Sequence, residues 1–237
     1  MSGIIVDLHT HVLPGVDDGS TSVEESIAML RATSDCGIKV MTATPHFYAA
    51  SDTPDAFVQR RQDSLLRLQQ AMEKHLGLPE VKTGAEVHYF PGMSDSEILQ
   101  RLTIADKCCI LVEMPHMAWT AGMYEELAQI RSKQGLIPII AHVERYIGLP
   151  QNRGLLEHLE ALPVLVQANA SFFLNRFTST KAMRLLRQER IHLLGSDCHN
   201  MNSRKPNLGE AVEKIRTHLG QSALDRIAEY QEFVFNQ

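Results

Sequence analysis

Short apolar or β-branched runs recur along the chain, and each gives way to a stretch with helical spacing. The runs are Ile4–Leu8, Lys39–Ala43, Val81–Ala85, Cys108–Val112, Ile137–Ala141, Val164–Ala168 and Ile191–Leu194. Their continuous apolar character predicts parallel strands covered on both faces. Helix signals lie between them. Ser22 with Glu25 reads as a capping-box start and Gly37 as a stop. Thr53-Pro54 opens a second helix, with Phe57, Leu65, Leu68, Met72 and Leu76 on one face before Gly77. Met123, Leu127 and Ile130 mark a third that ends at Gly135, and the C-terminal stretch reads as two helices broken near Gly220.

Seven strands alternating with helices predict an α/β fold with a parallel sheet. Nearly every predicted strand ends in a His, Asp or Glu. Sites in α/β barrels collect at the carboxyl ends of many strands, whereas an open doubly wound sheet feeds its site from two or three. The pattern therefore favours a seven-stranded TIM-like barrel. No linker or composition shift divides the chain, so residues 1–237 are expected to form one domain.

Composition narrows the classes. The 237 residues carry 23 Lys+Arg and 28 Asp+Glu, a net charge of −5, with 44% hydrophobic residues, which excludes a disordered chain. No basic run marks a nucleic-acid or anionic-membrane partner, and no apolar stretch approaches a membrane span. The N-terminus lacks the pattern of a signal peptide, and four cysteines make no disulfide framework, so a soluble cytoplasmic protein is expected.

Histidine, at 11 residues, is the anomaly. The first strand runs into Asp7-Leu8-His9-Thr10-His11, where alternation puts both imidazoles on one side, able to reach one ion. Asp7 shares their parity and is expected to orient them. Later strand ends add Thr44-Pro45-His46, Gly84-Ala85-Glu86, Glu113-Met114-Pro115, His142-Val143-Glu144-Arg145-Tyr146 and Ser196-Asp197-Cys198-His199-Asn200. Any one of these alone reads more readily as a cap or a surface residue than as a ligand. Their recurrence at six of seven predicted strand ends points to a metal site.

Together with Leu13-Pro14-Gly15-Val16-Asp17-Asp18-Gly19, these motifs resemble the PHP (polymerase and histidinol phosphatase) superfamily. Within it they are most similar to the bacterial PHP-type protein-tyrosine phosphatases associated with capsule and exopolysaccharide synthesis. The resemblance extends from residue 7 to about 206. It implies a distorted seven-stranded (β/α)7 TIM-like barrel with the metal site at the C-terminal ends of the strands. It also implies three divalent or mixed-valence ions: manganese first, with Fe, Zn or Mg as alternatives. His9, His11, Glu86 and Asp197 would hold the first, with Glu86 bridging to a second that adds Glu113 and His142. Asp18, His46 and His199 would hold the third; by spacing alone, Asp17 remains as eligible as Asp18. The implied reaction is phosphotyrosine hydrolysis by a metal-bridging hydroxide, with Arg145 and Arg204 binding phosphate. The implied partner is a tyrosine-phosphorylated protein, an autophosphorylated bacterial tyrosine kinase that controls polysaccharide synthesis. The alternatives are a small-molecule phosphatase, such as histidinol phosphatase, and a non-catalytic kinase-binding regulator.

Three further readings follow. Cys198 through Arg204 matches C-x5-R, the spacing of cysteine-dependent phosphatases, but the intervening residues contain no glycine and Cys198 lies between two expected ligands, which argues against a thiolate nucleophile. His88 and His116 follow ligands and are candidates for supporting contacts. Trp119 with Phe47, Tyr48, Tyr89 and Phe90 either forms an apolar rim for a phosphotyrosine ring or packs loops onto the barrel.

Overall fold

A computed structural model describes residues 5–236; Ile4, which opens the first predicted strand, and the two ends of the expected 1–237 domain lie outside them. In chain order the elements are β1 (Val6–Thr10), α1 (Val23–Asp35), β2 (Val40–Ala43), β3 (His46–Phe47), α2 (Pro54–Met72), β4 (Glu80–Thr83), β5 (Glu86–His88) and β6 (Cys109–Glu113). There follow α3 (Ala121–Gln134), β7 (Ile137–Ile140), α4 (Leu155–Glu160), β8 (Leu165–Asn169), α5 (Ala170–Leu174), α6 (Ser179–Arg187), β9 (Leu193–Gly195), α7 (Leu208–Leu219) and α8 (Gln221–Asn236).

The local signals act as expected at most helix ends. The Ser22 hydroxyl accepts from Glu25 N at 3.2 Å, and Glu25 Oε2 accepts from Thr21 N at 2.9 Å, tying down the start of α1. Pro54 starts α2 behind a Thr53 cap, and Gly135, in left-handed backbone at φ 72°, ends α3. α2 stops at Met72, short of Gly77, and leaves Leu76 fully exposed.

Among the described residues the strands form two parallel sheets, β1-β2-β4 and the curled six-stranded β3-β5-β6-β7-β8-β9. All seven predicted runs contain strand, but the second and third are each interrupted and resume as β3 and β5. Pro45 supplies no N–H for the ladder at the first break. At the second, a Cβ on Gly84 would meet Ile104 at 3.2 Å, so the backbone there runs against its neighbour. Hydrogen bonds bridge the interruptions: Glu86 N donates to Pro45 O at 3.0 Å and Gly84 N to Ala43 O at 2.8 Å. Beyond β9, Asp197 N donates to His9 O (2.8 Å) and His11 N to Cys198 O (2.9 Å), joining the last strand to the first.

The helices cover the outer faces. Val87, Ile110, Val112, Ile140, Val166 and Leu194 face α3 to α7 in one large cluster, while Met41 and Ala43 pack with Leu30 and Leu68 of α1 and α2. Leu111, Leu165 and Leu193 face the other way and pack with Ile104 and Val234. Leu111 and Leu165 precede Glu113 and Gln167 on the same side of their strands, so this apolar layer underlies the polar centre. No described helix is long and apolar enough to cross a membrane.

Candidate metal centre

The side chains singled out from the sequence converge. His9 lies on β1 and His11 just beyond it; His46 opens β3, Glu86 opens β5 and Glu113 closes β6. His142 follows β7, while Asp197 and His199 follow β9. Two glycines permit the approach. A Cβ on Gly195 would sit 2.5 Å from His9 Cβ, and one on Gly19 would sit 2.4 Å from His11 Cβ.

Four of the five histidines are held through Nδ1. His9 Nδ1 lies 3.3 Å from Gln167 Oε1, His11 Nδ1 2.6 Å from Asp17 Oδ2, His142 Nδ1 3.3 Å from the Tyr146 hydroxyl and His199 Nδ1 3.0 Å from Asp197 O. Their Nε2 atoms face carboxylates. His9 and His11 Nε2 stand 3.1 and 3.3 Å from Glu86 Oε2, His142 Nε2 2.7 Å from Glu86 Oε1, and His199 Nε2 3.3 Å from Asp18 Oδ1. Asp197 Oδ1 stands 3.6 Å from His9 Nε2 and 3.5 Å from His11 Nε2. His46 is reversed, with Nδ1 3.1 Å from Glu86 Oε2 and Nε2 3.6 Å from Asp18 Oδ1. One ring nitrogen anchored and the other aimed inward is how metal-binding imidazoles are fixed in tautomer and orientation.

The electrostatics mark a centre rich in buried charge. Burial alone would raise the Glu86 carboxyl, but His9, His11 and His142 hold it well below its ordinary value. Burial opposes protonation of His11, yet Asp17, Asp197 and Glu86 push its pKa well above the usual 6.5. Asp17 is drawn down to about 2 against its burial, by His11 and by the backbone amides of His46 and Gly19. Burial lowers His142 despite Glu86 beside it.

Three buried atoms here have no hydrogen-bond partner: Glu86 Oε2, His46 Nδ1 and His199 Nε2. His9 Nε2 and His11 Nε2 also face each other at 3.2 Å. Buried acceptors so grouped are unfavourable unless a cation satisfies them, and a mixed imidazole and carboxylate set fits a divalent transition ion. The ligand atoms fall into three groups: His9, His11 and Glu86; His46, Glu86 and Glu113; and His11, Asp18, His46 and His199. His46 thus reaches two groups, while His142 contacts both Glu86 and Glu113 at 2.7 and 3.5 Å.

The two arginines lie at the edge of this cluster. Arg145 donates from Nη2 to Asp197 Oδ2 at 2.8 Å and from Nη1 to Glu113 Oε1 at 3.3 Å; Arg204 Nη2 donates to Asp197 Oδ1 at 2.7 Å. Asp17 and Asp18 divide their work. Both Asp17 oxygens are taken by His11, His46 N and Gly19 N, whereas the Asp18 side chain is 66% exposed, with Oδ1 near His46 and His199.

Some supporting residues were not expected. Gln167 Oε1 also accepts from His142 N at 2.8 Å, its amide donates to Asn169 Oδ1 at 2.9 Å, and Asn169 Nδ2 donates to Asp197 Oδ2 at 2.8 Å. β8 is the strand whose end shows no acid or histidine, so its neutral amides gave no ligand signal; their shared parity at a buried strand end was the available clue. Asp7 does not orient the histidines. Its Oδ1 accepts from Ser196 N at 2.7 Å, so it fixes the seam between β1 and β9. His88 Nδ1 lies 3.2 Å from Glu113 Oε2, as a supporting contact, while His116 is exposed.

Cys198 is fully buried, and burial with Asp7 and Asp197 nearby pushes its thiol well above the ordinary range, the reverse of a nucleophilic cysteine. The aromatic rim is largely turned inward. Trp119 is buried against Tyr124 and Tyr146, and its backbone N–H donates to Asn152 Oδ1. Phe47 is buried too, Tyr89 and Phe90 pack on the core, and Tyr48 is exposed between His46 and His88.

Residues 5–232 match the model of the family described as capsular polysaccharide synthesis, CpsB/CapC. The chain is 28% identical over 238 residues to the tyrosine-protein phosphatase YwqE of Bacillus subtilis, covering 97% of this chain and 91% of that protein. It is 23% identical over 234 residues to the tyrosine-protein phosphatase CpsB of Streptococcus agalactiae, with 94% of each covered. Among solved structures, one from the work on YwqE of Bacillus subtilis and CpsB of Streptococcus pneumoniae, described as metal-dependent tyrosine phosphatases, superposes with a TM-score of 0.86. It shares 26% identity, over 98% of this chain and 95% of that one.

Proposed function

The chain belongs to the CpsB/CapC capsular polysaccharide synthesis family, and from this we infer that it is a metal-dependent protein-tyrosine phosphatase. The observation that carries the metal dependence is Glu86 Oε2. It is buried without a hydrogen bond and stands 3.1, 3.3 and 3.1 Å from nitrogens of His9, His11 and His46. We assign three divalent ions to this centre, manganese first. His9, His11, Glu86 and Asp197 hold one; Glu86, Glu113 and His142 another; and Asp18, His46 and His199 the third. On this reading the two sheets work as one distorted seven-stranded barrel in a single domain, with the centre at its carboxyl end.

The chemistry that bound divalent ions supply there is neutralisation of phosphoryl oxygens and activation of water near neutral pH. The chain's own residues do the rest. Glu86, fully buried, would be shared between the first two positions. Arg145 and Arg204 are about 40% exposed at the rim, and their forked donors suit a phosphate dianion. A phenolate leaves with a pKa near 10, low enough that no residue need act as a dedicated general acid. The phosphoprotein we infer is an autophosphorylated bacterial tyrosine kinase controlling capsule or exopolysaccharide synthesis, met in the cytoplasm; the family's description supports the link to capsule synthesis.

Phosphate release with Mn²⁺ tests it, comparing a tyrosine-phosphorylated kinase-tail peptide with histidinol phosphate, each with and without chelator. Preference for the peptide, lost on chelation, is expected. Preference for histidinol phosphate would overturn the substrate class, and release that survives chelation would overturn the metal mechanism.

A further inference from the structure

A groove of about 490 Å³ runs between α6 and the segment that follows Arg145, apart from the metal centre. Arg153, Lys181, Arg184 and Arg190 line it, with Glu157 as its acid. Arg190 is already engaged by Glu157 at 2.9 Å and by Glu160. Among the described residues no carboxylate lies within 4.0 Å of Arg153, Lys181 or Arg184. Lys181 and Arg184 stand one turn apart on α6, so like charges face each other without a counter-ion. The Lys181 ammonium is half-buried, leans on the Ile147 carbonyl at 3.4 Å, and is held below its ordinary pKa by burial and by Arg184. In a chain of net charge −5, this is a concentration of unmatched positive charge.

Along the chain the groove begins close to the rim of the centre. Its wall begins at Ile147, two residues after Arg145, which itself bonds Asp197. A chain that presents a phosphorylated residue to the centre can therefore lay neighbouring residues along α6. We propose that this groove docks an acidic stretch of the phosphoprotein substrate, rich in Asp or Glu and adjacent in sequence to the phosphorylated residue. The proposal rests on the phosphatase reading for its substrate, though not for its charge chemistry. The apolar lining is aliphatic, from residues such as Leu149, Leu155 and Leu185, and offers no aromatic face for stacked bases, which favours a peptide over nucleic acid.

The test uses two phosphotyrosine peptides, identical except that the residues flanking the phosphotyrosine are Glu in one and Gln in the other. The Glu peptide is expected to show a KM about fivefold lower, the size of two or three exposed ion pairs together. Lys181→Glu/Arg184→Glu should abolish that preference and Lys181→Gln/Arg184→Gln should reduce it, while p-nitrophenyl phosphate turnover stays unchanged. Equal KM values for the two peptides with the unsubstituted protein, or a preference that survives both double variants, overturns the docking site. Fluorescence anisotropy of the unphosphorylated Glu peptide reads the groove without catalysis, so a failed phosphatase reading stays distinguishable. Tighter binding of a single-stranded oligonucleotide, lost in the same variants, would also overturn the peptide assignment.

Discussion

Asp17 and Asp18 are neighbours of the same type, and the structure assigns them opposite consequences on replacement. In Asp17→Asn, the better of two amide orientations keeps an oxygen toward His11 and His46 N and turns its NH2 on Gly19 N–H, donor against donor. The bond to His11, 2.6 Å in length, also loses its charge. Losing charge assistance costs about 1 kcal/mol, and a stranded amide costs about 1–3 kcal/mol. With metal removed, stability should thus fall by about 2–4 kcal/mol, lowering Tm by roughly 4–16 °C for a chain of this length. Losing an orienting carboxylate weakens metal affinity by about 10–100-fold without removing a ligand. Asp18→Asn should barely move the metal-free Tm, because its exposed side chain holds no comparable network, but it should remove one bound ion. Thermal unfolding in chelator, metal content after dialysis and competition against a chelating dye separate the two effects. If Asp17→Asn lost an ion while Asp18→Asn kept the full complement, the division of labour drawn from these hydrogen bonds would be wrong.

Three further outcomes follow from the same geometry. Cys198→Ser should keep most phosphatase activity and His199→Ala should abolish it; the reverse in a phosphate-release assay would restore the cysteine mechanism that C-x5-R suggests. Arg145→Lys should lower kcat/KM at least tenfold, because a point charge cannot replace a fork that spans Asp197 and Glu113, and wild-type kinetics would remove Arg145 from phosphate recognition. Burial holds His192 below its ordinary 6.5, so the unfolded chain takes the proton first; stability is then full above pH 6.5 and lost as pH falls through that value. His192→Gln, which keeps an acceptor for Val166 N, should flatten the fall of Tm below about pH 6.5, and an unchanged slope would assign that loss elsewhere.

Sequence periodicity located all seven strand-bearing runs, because buried parallel strands must be apolar on both faces and so stand out as blocks. It did not show that the second and third runs break and resume. That outcome depends on Pro45 within the ladder and on Ile104 closing against Gly84, and the second of these is a long-range contact. The candidate ligands were legible because imidazoles and carboxylates recur at six of seven predicted strand ends, where burial without a partner is costly. Their support was not. Gln167, Asn169 and Tyr146 act through neutral groups that look like ordinary core polarity until the fold brings them beside His9, Asp197 and His142. Trp119 went inward for a similar reason: Asn152, 33 residues away, captures its backbone amide.

The support from β8 also explains how two candidate ligands tolerate unfavourable backbone. His142 and Asp197 both lie in left-handed conformation, at φ 31° and 55°. Such positions cost about 1 kcal/mol or more for residues other than glycine, and they persist where the surroundings over-determine them. Glycine would relieve the strain but bring no ligand. Gln167 supplies the restraint for His142: one amide oxygen accepts from its backbone N–H and faces His9 Nδ1 as well. A neutral amide can do this without disturbing the charge balance of a centre already holding four carboxylates. Gln167→Leu, of similar size, should therefore strand the His142 N–H, free the His9 ring and release the Asn169 contact to Asp197. The expected loss is about 1–3 kcal/mol of stability in chelator, with roughly 10–100-fold weaker metal binding. Metal affinity left unchanged alongside a lowered Tm would mean that Gln167 only packs the barrel, and that the left-handed turns are held by the strand seam instead.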